Sequence, residues 1–262
     1  SHPRLLDWLA VEFIESGWSI KHIHRLIMCS SVYGQTSSPG HATTADGRAP
    51  NKQTDSTRDP ANRLLWKFPK RRLEAELIRD QILAASGSLN TTMHGPGVRP
   101  RIHPDVIATS TTRKWPTVIR ERSEHWRRSI YVFARRSVLM PMLESFDAPT
   151  TTQSCDRRLT TTVPTQALQL LNDVFTNQRA ASMAQELLAT VGTSAAEQIH
   201  TIYGRCLSRP PTSKELIRCL AFLDQQREFH SKTANRSTTA QARALTDLCH
   251  VMFNLNEFIY VD

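Results

Sequence analysis

Leu5, Leu6, Leu9, Phe13 and Ile14 recur at helical spacing near the start of the chain, which makes one face of that segment apolar and predicts a first amphipathic helix. Ser1 can cap its start, and Gly17 supplies a left-handed stop. A second helix follows at once. Ser19 is a good N-cap, Trp18 before it can staple onto Ile23, and Ile20, Ile23 and Ile27 form the apolar stripe. Two such helices this close in sequence predict a hairpin over residues 1–33. Periodicity then stops: residues 34–58 are rich in Ser, Thr, Pro, Gly and Asn. With no apolar stripe to repay the entropy of ordering, they read as a polar mobile insertion.

Order resumes at Asp59-Pro60, and Leu73, Leu77, Ile78, Ile82 and Leu89 predict a helix over Arg71 to Leu89, weakened in its last turn by Gly87. Residues 91–116 are rich in Pro, Gly and Thr. Ser129 to Ala134 alternates Ile130, Val132 and Ala134 against Tyr131 and Phe133, the pattern of a short strand. Val138 to Phe146 suits a short helix, and Pro164 starts another whose face continues through Leu168, Leu171 and Phe175. Ser194 with Glu197 and Thr212 with Glu215 are capping boxes, separated by the break at Pro210-Pro211. A polar linker over Ser231 to Thr239 precedes a last long helix with Leu245, Leu248, Cys249 and Met252 on one face. The expected fold class is mainly α, an irregular helical bundle with helical hairpins and at most one small β element. It divides into the 1–33 hairpin, the 34–58 insertion, a central helical region over 59–190 with a basic loop and short strand, and C-terminal helices over 191–262.

Composition adds size and charge to this picture. At 262 residues, the chain can bury a core without metal or disulfide staples. No apolar run approaches the roughly 20 residues of a membrane-spanning helix. The net charge of +9, from 33 basic residues, predicts a basic surface that attracts nucleic acid, anionic polymer or acidic partners alike. The five cysteines form no C-x-x-C pair, so they leave the compartment undecided. Cys206, Cys219 and Cys249 fall on apolar stripes and read as buried thiols. Cys155, flanked by Asp156, Arg157 and Arg158, is the one exposed candidate for a reactive thiol.

Few strings carry a chemistry. C-x-x-C-H, which c-type haem attachment needs, does not occur, so no cofactor is expected in this chain and any haem lies on another domain. His22 and His24 are two apart and point to different sides of a helix, so no metal site is expected there. The loop His94 to His103, HGPGVRPRIH, lacks the lysine and hydroxyl of a phosphate loop and reads as a structural turn. G-x-S-x-G and H-E-x-x-H are absent. Glu74 and Glu76 are two apart and should diverge, with Glu74 paired to Arg71, Arg72 or Arg79. Between Arg113 and Arg136, eight Lys or Arg residues interleave with Trp115, Trp126, Tyr131 and Phe133. That composition is compatible with single-stranded nucleic acid, with carbohydrate, or with a solvated segment whose aromatics are core. No residue stands out as catalytic. The candidate ligand-binding set is Arg71, Arg72, Glu74, Arg128, Tyr131, Asp147, Arg157, Arg158, Asn256 and Glu257. The blocks Arg71 to Glu76, Asp147 to Arg158 and Asn254 to Glu257 are expected to converge, because partly buried charges must find opposite partners.

Four long blocks carry a resemblance: SHPRLLDWLAVEFIESGWSIKHIHRLIMCSSVYGQ, DPANRLLWKFPKRRLEAELIRDQILAASG, ESFDAPTTTQSCDRRLTTTVPTQALQLLN and DLCHVMFNLNEFIYVD. In this order they resemble the planctomycete cytochrome-c-associated domain of unknown function, in its C-terminal part. The resemblance implies a piece of a larger exported protein, extracytoplasmic in address, serving as a structural or interaction module beside upstream domains of the same polypeptide. It leaves open a carbohydrate-binding or polysaccharide-hydrolysing role built on Glu74, Asp147 and Arg128 to Phe133, with envelope polysaccharide as partner. A nucleic-acid-binding module comes third.

Overall fold

The computed structural model describes residues 2–37, 57–108, 115–116, 121–135, 138–233 and 237–261. Most of the expected mobile insertion, residues 38–56, lies outside the described residues. The fold is mainly helical, with one two-stranded antiparallel sheet formed by β1 (Arg71–Arg72) and β2 (Tyr260–Val261). The chain divides into two compact units, Ser1–Arg71 with Tyr260–Asp262, and Arg72–Ile259.

The first unit contains the predicted hairpin. Its helices are α1 (Pro3–Glu15) and α2 (Ile20–Met28). Gly17 takes φ +70°, the left-handed value that ends α1, and the Ser19 hydroxyl accepts the His22 amide at 3.3 Å to start α2. The helices are tied by Glu12 to His22 at 2.8 Å. Trp18 lies edge-on to Phe13 with ring centroids 5.2 Å apart. Further on, Asp59 accepts the amides of Arg63 and Leu64, which folds the turn that brings the Trp66 indole N–H to the Asp59 carbonyl. Neither α1 nor α2 contains a buried residue.

The second unit holds the core. The helix expected from Arg71 is shorter, α3 (Ala75–Ala85), because Arg71–Arg72 is drawn into the sheet and Glu74 is extended. Ile78, Ile82 and Leu83 are buried, and Gly87 at φ +66° turns the chain away after α3. A short α4 (Pro104–Ala108) and α5 (Pro141–Ser145) precede α6 (Pro164–Asn172) and α7 (Val174–Thr190). The last long helices are α8 (Ala195–Leu207), α9 (Ser213–Thr233) and α10 (Ser237–Phe253), followed by the short α11 (Asn256–Ile259). Helix α10 packs along both α7 and α9. Its Leu245, Leu248, Cys249, Met252 and Phe253 join Met183, Leu187, Ile199 and Ile202 in the interior.

Three expectations are corrected here. Ser129–Tyr131 is a 3₁₀ turn and Ile130 is 82% exposed, so the alternation there is not that of a strand. What remains of β pairing is a parallel bridge between Val98 and Val132. The polar linker is largely helical: α9 runs to Thr233 and α10 begins at Ser237, with 234–236 outside the described residues. The face from Leu168 to Phe175 is not one helix, because Asp173 is extended at φ −67°, ψ 129° and divides α6 from α7.

Candidate functional site

Most of the candidate ligand-binding residues fall in two places, with Asn256 and Glu257 apart from both on the last short helix. The first is a clasp at the start of α3. Arg72 is buried and donates to the Thr161 carbonyl at 2.7 Å, the Phe146 carbonyl at 3.0 Å and Asp147 Oδ2 at 2.7 Å. Asp147 has φ +62°, a left-handed turn that aims its carboxylate back at the loop, where it also accepts the Thr161 amide at 2.8 Å. Arg158 bridges Glu76 at 2.7 Å and Glu74 at 3.2 Å. The expected divergence of the two glutamates is therefore wrong. Glu74 is the extended N-cap of α3 while Glu76 lies in its first turn, so helical geometry does not separate them. The partner shown for Glu74 is Arg158, from a loop 84 positions on, which no local spacing rule would find.

Burial pushes the carboxyls of Asp147 and Glu76 up. The Thr161 amide and Arg72 more than reverse this for Asp147, and Arg158 does so for Glu76, so both sit below the usual carboxylate range. Such groups hold no proton to donate near neutrality and are weak bases. They fasten the 146–161 loop onto α3. The blocks Arg71 to Glu76 and Asp147 to Arg158 do converge. The Leu73 amide also reaches the Ile259 carbonyl at 2.8 Å. Glu257, however, pairs with Arg209 at 2.6 Å, and exposed Asn256 merely opens α11.

The second place surrounds Arg128 and Tyr131. The Tyr131 hydroxyl accepts the His94 amide at 2.8 Å, and the neighbouring Arg127 guanidinium lies 3.7 Å from the Tyr131 ring centroid. Arg127 is buried and donates to the carbonyls of Thr92, His94 and Pro96, so the glycine- and proline-rich loop is wrapped around it. Arg79, wholly buried on α3, reaches the carbonyls of His125 at 2.8 Å and Arg127 at 3.0 Å and the Ser129 hydroxyl at 3.2 Å. Burial lowers its guanidinium to about 10, still charged at neutral pH. Arg179 donates to the Ser88 hydroxyl at 2.9 Å and stacks over Trp126 at 4.2 Å. Trp115 is buried with its indole N–H on the Pro100 carbonyl at 3.1 Å. These aromatics are therefore floors for arginines and parts of the interior.

Cys155 is exposed, with its thiol 3.3 Å from the Arg157 carbonyl in an exposed loop. Cys29 is exposed as well, which corrects the expectation of a single accessible thiol. Among the described residues no group of three or more His, Cys, Asp or Glu could hold a metal ion.

Sequence reasoning missed a cavity beside α7. A cleft of about 500 Å³ opens among α4, α5 and the α6–α7 junction, with Ile102, Met140, Met142 and Phe175 on its apolar walls and Asp173, Gln169 and Glu121 among its polar ones. Asp173 caps α7 by accepting the Phe175 amide at 3.3 Å. Burial pushes its carboxyl above the usual range, opposed by the Phe175 amide and Gln169 and reinforced by the negative charge of Glu121. The available signal was the Asn-Asp pair at 172–173 inside an apolar helical pattern, a cap site where one helix hands over to the next.

No curated protein and no solved structure matches this chain. Residues 1–223 match the PSD1 family, described as a protein of unknown function (DUF1553), and the chain belongs to that family.

Proposed function

We propose that the chain is the C-terminal structural and interaction module of a larger exported polypeptide of the planctomycete, cytochrome-c-associated type, with any haem c carried by an upstream domain. The address and the haem rest on the resemblance of the four sequence blocks. The interaction role rests on one observation: α1 and α2 form a cross-linked hairpin in which, among the described residues, many large apolar side chains are exposed. Leu6 is 69% and Trp18 66% exposed, and Leu5, Trp8, Val11, Ile14 and Ile20 are exposed with them. Burying one such side chain is worth about 1.5–3 kcal/mol, so the row is a strong drive toward a cover. Upstream chain of the same polypeptide meets this face at a high effective concentration and is the partner we assign. The charged candidate residues fit a scaffold, since Arg72, Asp147, Glu74, Arg158 and Glu257 are engaged in internal ion pairs.

Hydrogen exchange of the chain alone and joined to its upstream polypeptide tests this reading. The amides of α1 and α2 should become protected when the upstream part is present. Identical exchange in both forms would reject it.

A further inference from the structure

The cleft beside α7 is lined by residues other than those of the Arg72–Asp147 clasp. Its volume of about 500 Å³ lies in the range of small-molecule sites. The apolar walls include two methionines, Met140 and Met142, whose unbranched thioethers adapt to varied shapes. Asp173 lines the cleft as the N-cap of α7, and its partners are the Phe175 and Val174 amides and Gln169. Glu121, whose charge acts on Asp173, is also negative. Glu121 is itself balanced: it accepts the Arg101 amide at 3.2 Å and the Trp126 indole N–H at 3.1 Å, and its charge acts on buried Arg79 and Arg179. Arg101 and His103 also line the cleft, but both are exposed, and His103 faces Asp105 at 3.4 Å. Asp173 is thus a carboxylate on a partly apolar cleft wall with no cation among its partners in the described residues.

We infer that this cleft binds a small organic cation, a primary ammonium group on a short apolar body, with the ammonium on Asp173 and the body against Met140, Met142 and Phe175. An anion would be repelled by the Asp173 carboxylate. A neutral hydroxyl could bond to Asp173 but would leave its charge unbalanced in a partly apolar surrounding, where an opposite charge is worth more than in water.

The test uses methionine methyl NMR, with 2-phenylethylamine as probe and 2-phenylethanol as its neutral counterpart of the same shape. The amine should shift the Met140 and Met142 methyl signals saturably while leaving Met28 and Met93, which do not line the cleft, in place. The alcohol should bind about tenfold more weakly, the worth of one charge-assisted hydrogen bond. Asp173→Asn keeps an N-cap for α7, since asparagine caps as well as aspartate. It should bring the amine down to the alcohol's affinity and leave the alcohol unchanged. Leu168→Trp, at an exposed position on the cleft wall, should abolish both shifts without touching the core. Absence of a saturable shift at Met140 and Met142 would overturn the inference. So would equal amine binding before and after Asp173→Asn.

Discussion

Arg79 shows how much one side chain organises. It is wholly buried, yet its guanidinium serves the His125 and Arg127 carbonyls and the Ser129 hydroxyl across nearly fifty residues of sequence. Replacing it by methionine keeps the volume but strands two carbonyls, each costing about 1–3 kcal/mol. Arg79→Met should therefore lose at least about 2 kcal/mol of stability by urea denaturation, and a neutral result would remove the clamp argument. The sequence reading set Arg79 beside Glu74 and found neither its burial nor its partners, because the partners come from irregular loops without periodicity. The cysteines were read more completely. Cys206, Cys219 and Cys249 are buried as their stripes implied, and burial pushes the Cys206 thiol up to about 12. Thiol labelling of the native protein should therefore modify Cys29 and Cys155 rapidly and the other three only after denaturation. Fast labelling of Cys206 would show that α8 opens from the core.

Caps decided which elements could be read in advance. Thr212 and Glu215 complete the capping box expected of them: the Thr212 amide donates to Glu215 at 2.7 Å, and the Glu215 amide to the Thr212 hydroxyl at 3.3 Å. Arg209 joins this box to Glu257 of α11 and, with the Thr212 bonds, holds the Glu215 carboxyl down to about 2. The folded state thus keeps Glu215 ionised at pH values where an unfolded chain, titrating near 4.5, has taken up the proton. The contribution is complete above about 4.5 and is lost as pH falls toward 2. Glu215→Gln should lower the melting temperature near neutrality, and the gap from the parent should close by about pH 2. A gap independent of pH would assign the loss to something other than this charge. Two readings failed although a pattern was present: the Ser129 to Ala134 alternation arises from a 3₁₀ turn, and the Asp173 cap hid inside what read as one continuous apolar face.

At the scale of the whole chain, a hydrophobic stripe declares that a face needs cover and leaves open what covers it. In α8 and α10 the cover is the same core, and the anticipated Cys206, Leu245, Leu248, Cys249 and Met252 are buried, whereas Leu77 of α3 and Leu168 and Leu171 of α6, read as parts of apolar faces, are exposed. In α1 and α2 the same signal produced correct helices, yet Leu6, Ile14 and Trp18 remain exposed. The candidate site followed the same division. The convergence of Arg72 and Asp147 was legible because buried charges seek opposite ones. The cleft at Asp173 was not, because it is made by the packing of α4, α5 and α7, which no local pattern records. The uncovered hairpin predicts a separation between stability and surface behaviour. Substituting Leu6, Ile14 and Trp18 together by serine removes exposed apolar area while leaving the core untouched, and exposed positions of this kind shift stability by only about 0.5 kcal/mol each. The triple variant should bind markedly less of an apolar dye such as ANS and remain soluble at higher concentration. Its melting transition should stay within a few degrees of the parent. A large loss of stability in the chain alone would mean that these side chains already have their cover within it, and the hairpin would then be a folded wall of the molecule with no surface to offer a partner.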